Sequence, residues 1–140
     1  MRVLTTAFLL LDLTCGTRPL AAATDTPVVV SFVFPGGVTR STELTESEVR
    51  DLLHANFGYM VEWWVRGALA KLQLPHVISV VDPTSRAMAV TSVDGVANGI
   101  SGQWVLYVDG IRSRYYINTQ VRQHERQVKL VYERVGRPSG

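Results

Sequence analysis

The five residues Trp104-Val105-Leu106-Tyr107-Val108, followed at once by Asp109-Gly110, limit the possible folds of this chain more than any other stretch. Trp104, Leu106 and Val108 fall on one face of an extended segment, and Val105 and Tyr107 fall on the other. Both faces are apolar, which predicts a strand inside a sheet with cover on each side. Asp-Gly after such a run is a strong hairpin signal, because a two-residue type I′ turn needs positive φ at both central positions. A sheet with a reversal at Asp109-Gly110 is therefore the fixed point of the reading.

The flanking chain supplies further elements. Val28 to Phe34 is β-branched and aromatic throughout and reads as a strand, with Pro35-Gly36-Gly37 as its turn and Val38 to Leu44 as a more polar return strand. Thr45-Glu46-Ser47-Glu48 is a capping-box pattern. Val49, Leu52, Leu53 and Phe57 follow it at helical spacing, with Gly58 as a stop. A second helical pattern runs from Met60 to Leu74 and ends at Pro75. Trp63 and Trp64 lie roughly 100° apart on a helix and are expected as core aromatics on a wide apolar face. Val77 to Val81 and Met88 to Val93 bracket the turn Asp82-Pro83-Thr84-Ser85 and make a second hairpin. Beyond Gly110, Ile111, Ser113, Tyr115 and Ile117 alternate with Arg112, Arg114 and Tyr116 as in a strand. Gln127 to Arg134 reads as the last strand, and Arg137 to Gly140 as a frayed tail.

Ser92-Val93-Asp94-Gly95-Val96-Ala97-Asn98-Gly99, a short gap, then Trp104 to Gly110 resembles the pattern of the transcobalamin-like C-terminal domain family. Asp109 stands where that family usually has Asn. His124-Glu125 stands where Gly-Asp is common, and the segment from Leu44 to Pro75 is longer than one gripped helix requires. The resemblance implies an α+β chain of the β-grasp (ubiquitin-like) kind, a mixed sheet packed on one or two helices. It also implies a small-ligand module, with a corrinoid such as cobalamin as the ligand class. Asp94, Gly95, Asn98, Gly99, Trp104 and Tyr107 are then the expected ligand-facing residues, the glycines and Asn98 permitting close backbone approach.

The 140 residues make one domain, read as 24–140 after a signal peptide at 1–23. Arg2, the apolar stretch from Val3 to Leu13 and the Ala21-Ala22-Ala23 site carry that reading. The apolar stretch is too short to span a bilayer. Cys15, the single cysteine, lacks the preceding small residues of a lipid-attachment site and is lost on cleavage. A thiol-free exported domain suits a periplasm or cell surface and excludes a cysteine nucleophile and any thiolate metal site.

No catalytic constellation is visible. His54, His76 and His124 share no metal-ligand spacing, and Gly99-Ile100-Ser101-Gly102 is not a nucleophile elbow. No phosphate loop or dinucleotide fingerprint occurs, so the expectation is a non-enzymatic chain with no metal site. Charge is unevenly spread: 24–110 holds five Lys/Arg against nine Asp/Glu, whereas 111–140 holds seven against two. Nucleic acid is not expected as a partner at so small a net charge. Two function classes stay open. The first is the ligand-binding module. The second is a structural or interaction module of the cell envelope, docking a protein or anionic glycan through Arg112, Arg114 and Tyr116, with Arg122 and Arg126 extending the patch. The plainer reading of the same basic residues is that they protect an exposed strand from edge-to-edge pairing.

Overall fold

The computed structural model describes residues 26–54, 61–113, 116–118 and 126–134. The expected signal peptide, Phe57 and Gly58, Arg114 and Tyr115, Arg122, His124-Glu125 and the tail from Arg137 lie outside the described residues.

The chain is α+β. Its strands are β1 (Val28–Val33), β2 (Thr39–Leu44), β3 (His76–Asp82), β4 (Ala87–Val93), β5 (Val96–Ala97), β6 (Gln103–Val108), β7 (Ile111–Arg112) and β8 (Gln127–Glu133). Among the described residues two α-helices, α1 (Glu46–Leu53) and α2 (Val61–Lys71), separate β2 from β3. The strands form a five-stranded sheet in the order β2-β1-β8-β6-β7 and a three-stranded sheet in the order β3-β4-β5. In the larger sheet β1 runs parallel to β8, and all other pairs are antiparallel. A single mixed sheet was expected. The division follows from β4, whose two edges are already occupied by β3 and β5 and so cannot join β6.

β6 lies inside the larger sheet, between β8 and β7. Trp104, Val105 and Leu106 are buried, and Tyr107 and Val108 are half-buried. The turn after it has positive φ at both Asp109 (49°) and Gly110 (79°), as a type I′ hairpin demands. Asp94-Gly95 repeats the device between β4 and β5, with φ of 47° and 81°. The Asp109 carboxylate also accepts from the backbone N–H groups of Arg126 (3.0 Å) and Gln127 (2.9 Å), so the hairpin fixes where β8 begins.

The capping box forms: Glu48 N donates to Thr45 Oγ1, and the Glu48 carboxylate receives Thr45 N. The helix ends earlier than its spacing predicts, with His54 rather than Gly58 at the left-handed cap position. Leu52 consequently faces outward, 38% exposed. In α2, Trp64 is buried, and Trp63 is half-buried against the same core. That core joins Val30, Phe32, Val128, Leu130 and Leu106 of the larger sheet to Val49, Val61, Val65 and Leu69 of the helices and Val90 and Val93 of β4. Among the described residues no helix is long and apolar enough to cross a membrane.

The expected strand from Ile111 to Ile117 is not formed. β7 is two residues long, and Ser113 N donates to Leu106 O as its last rung. Ile117 belongs to the smaller sheet's side: its N donates to Met88 O, and its O accepts from Glu62 N at the start of α2. The Asn118 amide closes the junction, its Oδ1 accepting from Met88 N and its Nδ2 donating to Arg86 O. Ile111 and Ile117, placed on one face by alternation, end up 74% and 2% exposed.

Candidate functional site

The junction just described leaves a cleft of 390 Å³ between β4 and β6. Its apolar wall includes Val90, Leu106, Ile117 and Leu130, with Trp104 at one side. Asn98, Gln103, Arg112, Ser113 and Tyr116 supply the polar groups. Small-ligand sites of this size range combine an apolar wall with a few convergent polar side chains, and this cleft has both, in more equal shares than most.

The loop that carries Asn98 is stapled rather than loose. Asn98 Oδ1 accepts from Trp104 N at 2.8 Å, and Asn98 N donates to Thr91 O. Trp104 Nε1 donates to Val96 O at 2.8 Å. Tyr132 Oη donates to Ala97 O at 3.0 Å. The Trp104 ring packs edge-on against Phe34 and Tyr132, with centroids 5.3 and 5.4 Å apart. Gly102 permits this packing, since a Cβ there would stand 2.5 Å from Glu133 O and 2.7 Å from the Tyr132 ring. The indole N–H and the Asn98 side-chain oxygen are thus already used inside the fold. What they leave for a ligand is the Trp104 ring and the Asn98 amide NH₂.

The expected site residues are distributed unevenly. Asn98 and Trp104 line the cleft together with Arg112 and Tyr116, so two groups picked for unrelated reasons meet. Asp94 lies instead in a second depression of 360 Å³, with Phe34, Pro35, Val38, Arg40 and Val96. Gly95 shapes the turn beside it, and Gly99 N closes the loop on Gly102 O. Tyr107 lies outside both, its hydroxyl donating to the Glu133 carboxylate. That bond, with some burial, holds the Tyr107 hydroxyl above its ordinary pKa. Arg112 approaches the same carboxylate at 3.9 Å. Arg126 meets Asp109 through its backbone, and Arg114 and Arg122 are outside the described residues.

Ser113, Ile117 and Leu130 were missed as cleft residues. A helix-style or strand-style period could not have found them, because the cleft is a gap between two sheets. Asn118 did carry a local signal, since Asn is one of the residues that favour turns. Among the described residues no group of three His, Cys, Asp or Glu side chains is placed to hold a metal ion.

No family model matches the chain, and no curated protein matches it in sequence. Solved structures do match in fold. The crystal structure of haptocorrin in complex with Cbi has a TM-score of 0.60 at 14% identity, over 79% of this chain and 25% of that one. A candidate metal-binding protein from Ruminococcus gnavus ATCC 29149 has a TM-score of 0.53 at 9% identity, over 79% of this chain and 99% of that one. This chain thus spans about a quarter of the haptocorrin chain and nearly all of the Ruminococcus protein. At these identities the likeness is one of fold.

Proposed function

We propose that this chain is an exported, non-enzymatic binding module of the β-grasp kind that holds part of a small ligand in the cleft between β4 and β6. The observation that carries the reading is the meeting of Asn98, Trp104, Arg112 and Tyr116 around one cleft with an apolar wall. The parallel pairing of β1 with β8 at the centre of the larger sheet, crossed by α2, supports the β-grasp assignment. The likeness to haptocorrin and the pattern from Ser92 to Gly110 support a relation to the transcobalamin-like domains, with a corrinoid as the ligand class to test first. A volume of 390 Å³ is at the small end of ligand sites, room for one edge of a macrocycle rather than a whole ring. Export rests on the signal-like pattern of residues 1–23. The name of the Ruminococcus protein raises metal binding, but the described residues offer no suitable donor set.

Titration with cobalamin, cobinamide and unrelated macrocycles, followed by tryptophan fluorescence, tests the reading. Saturable quenching by one of them, weakened in Arg112→Ala and in Tyr116→Ala, is the expected result. A flat response to all of them in the parent protein would remove the small-ligand reading. The docking alternative then becomes the reading to test, through retention on anionic envelope glycans at low and high salt.

A further inference from the structure

Among the described residues the two sheets have four edges, and three of them are protected against pairing with another chain. β5 and β7 are two residues long, and β2 is polar, with Arg40 and Glu43 along it. Short strands and charges are the ordinary devices by which proteins blunt an edge. β3 has neither: among the described residues it pairs on one side only, it is seven residues long and it carries no charge between His76 and Asp82, although its ladder with β4 shifts register after Val77 and around Val81. Val77, Val80 and Val81 are 52%, 55% and 44% exposed along it. The run Val77-Ile78-Ser79-Val80-Val81 has high β-propensity, no Pro and no Gly, the composition of a segment that seeks a partner strand.

The order of residues along β3 indicates which partner. We propose that β3 is a homodimerisation edge, pairing antiparallel with β3 of a second copy about a two-fold axis through Ser79. In that register Ile78 faces Val80 of the second copy, Val77 faces its Val81, and His76 faces its Asp82. Each apolar residue meets an apolar one, and the imidazole of His76 meets the carboxylate of Asp82 twice, as a self-complementary two-fold interface requires. Moving the axis to Ile78 sets His76 against Val80, and moving it to Val80 sets Asp82 against Ile78. The Asp82 carboxyl is held below its ordinary pKa by the Ser85 hydroxyl and the turn amides, so the acidic end is ionised at neutral pH. Val81 is the one β3 residue without a partner on β4, and the strand is regular from Ile78 through Val80, where the central rungs would form.

The test combines mass and cross-linking. Light scattering on the parent protein, over concentrations up to those used for NMR, is expected to give twice the chain mass. Val80→Lys, at a half-exposed position, is expected to give the monomer mass with an unchanged circular-dichroism spectrum. In a Cys15→Ser background, Ser79→Cys sets two thiols opposite one another at the axis and should oxidise readily to a covalent dimer. Val77→Cys, facing Val81 of the second copy, should remain largely unlinked. A parent protein that is monomeric throughout overturns the proposal and leaves the edge to an unlike strand. A dimer that survives Val80→Lys, or equal cross-linking at positions 77 and 79, overturns it as well.

Discussion

Replacing Gly102 by alanine puts a methyl group 2.5 Å from the backbone oxygen of Glu133 and 2.7 and 2.9 Å from two atoms of the Tyr132 ring. Real Cβ atoms do not sit that close, so something must move. Glu133 O belongs to β8, and displacing it loosens the terminal rung between Gln103 and Glu133. The Tyr132 ring can swing instead, but it then forfeits the edge contact with Trp104 and the hydroxyl bond to Ala97 O. The first is worth about 0.5–1.5 kcal/mol, and the second about 0.5–1.5 kcal/mol. Either route leads to a loss of about 2 kcal/mol, inside the range for overpacking a filled site. Urea unfolding monitored by tryptophan fluorescence would measure it, with the near-ultraviolet circular dichroism of Trp104 and Tyr132 reporting any ring movement. Gly99→Ala, three residues earlier in the same loop, is the control. It has no atom within 4 Å of its would-be Cβ and no positive φ, so its effect should stay within about 0.5 kcal/mol. Equal midpoints for the two variants would refute the reasoning.

Asp109→Ala removes the acceptor of both the Arg126 and Gln127 amides and is expected to destabilise by about 1–3 kcal/mol, with Asp109→Asn largely restoring stability; urea midpoints of the two variants decide it. Tyr107 should titrate above its ordinary value of 10.0 because Glu133 accepts its proton in a hydrogen bond. A raised folded-state pKa means that this contribution is intact below pH 10 and is lost as pH rises through the raised value. The phenolate absorbance difference between parent and Tyr107→Phe should therefore appear late, and Glu133→Gln should bring it back toward the ordinary range.

Features decided within a few residues were legible in the sequence. The Asp109-Gly110 reversal and the Thr45–Glu48 capping box each depend on local backbone chemistry, and both form as read. What the period of a segment cannot carry is which edge is already taken. β7 stops at Arg112 because the chain is drawn across to β4, where Ile117 and Asn118 find backbone partners at Met88 and Arg86. The alternation of Ile111 to Ile117 was real in the sequence and irrelevant to the fold. The candidate site was half legible for the same reason. Asn98 and Trp104 stood out through their Gly-rich surroundings, but their hydrogen bonds to each other's strand and to Val96 were invisible until the loop closed. Arg112 and Tyr116 were picked for a strand face that does not exist and reach the cleft by another route.

The pairing of β1 with β8 has a consequence for how the chain comes to be folded at all. Val29 lies beside Gln127 and Phe32 beside Leu130, so the centre of the larger sheet is closed by the first and last strands of the described chain. A ribosome releases β1 long before β8 exists, and until then β1 has only β2 to pair with on one side. Contacts so distant in sequence make closure slow relative to the local hairpins and helices. The larger sheet therefore cannot close until the final strand has been made, whereas the β1–β2 hairpin, the two helices and the smaller sheet can form before it. Only the seam between β1 and β8, and with it the joining of β6 and β7 to the first hairpin, waits for the end of synthesis.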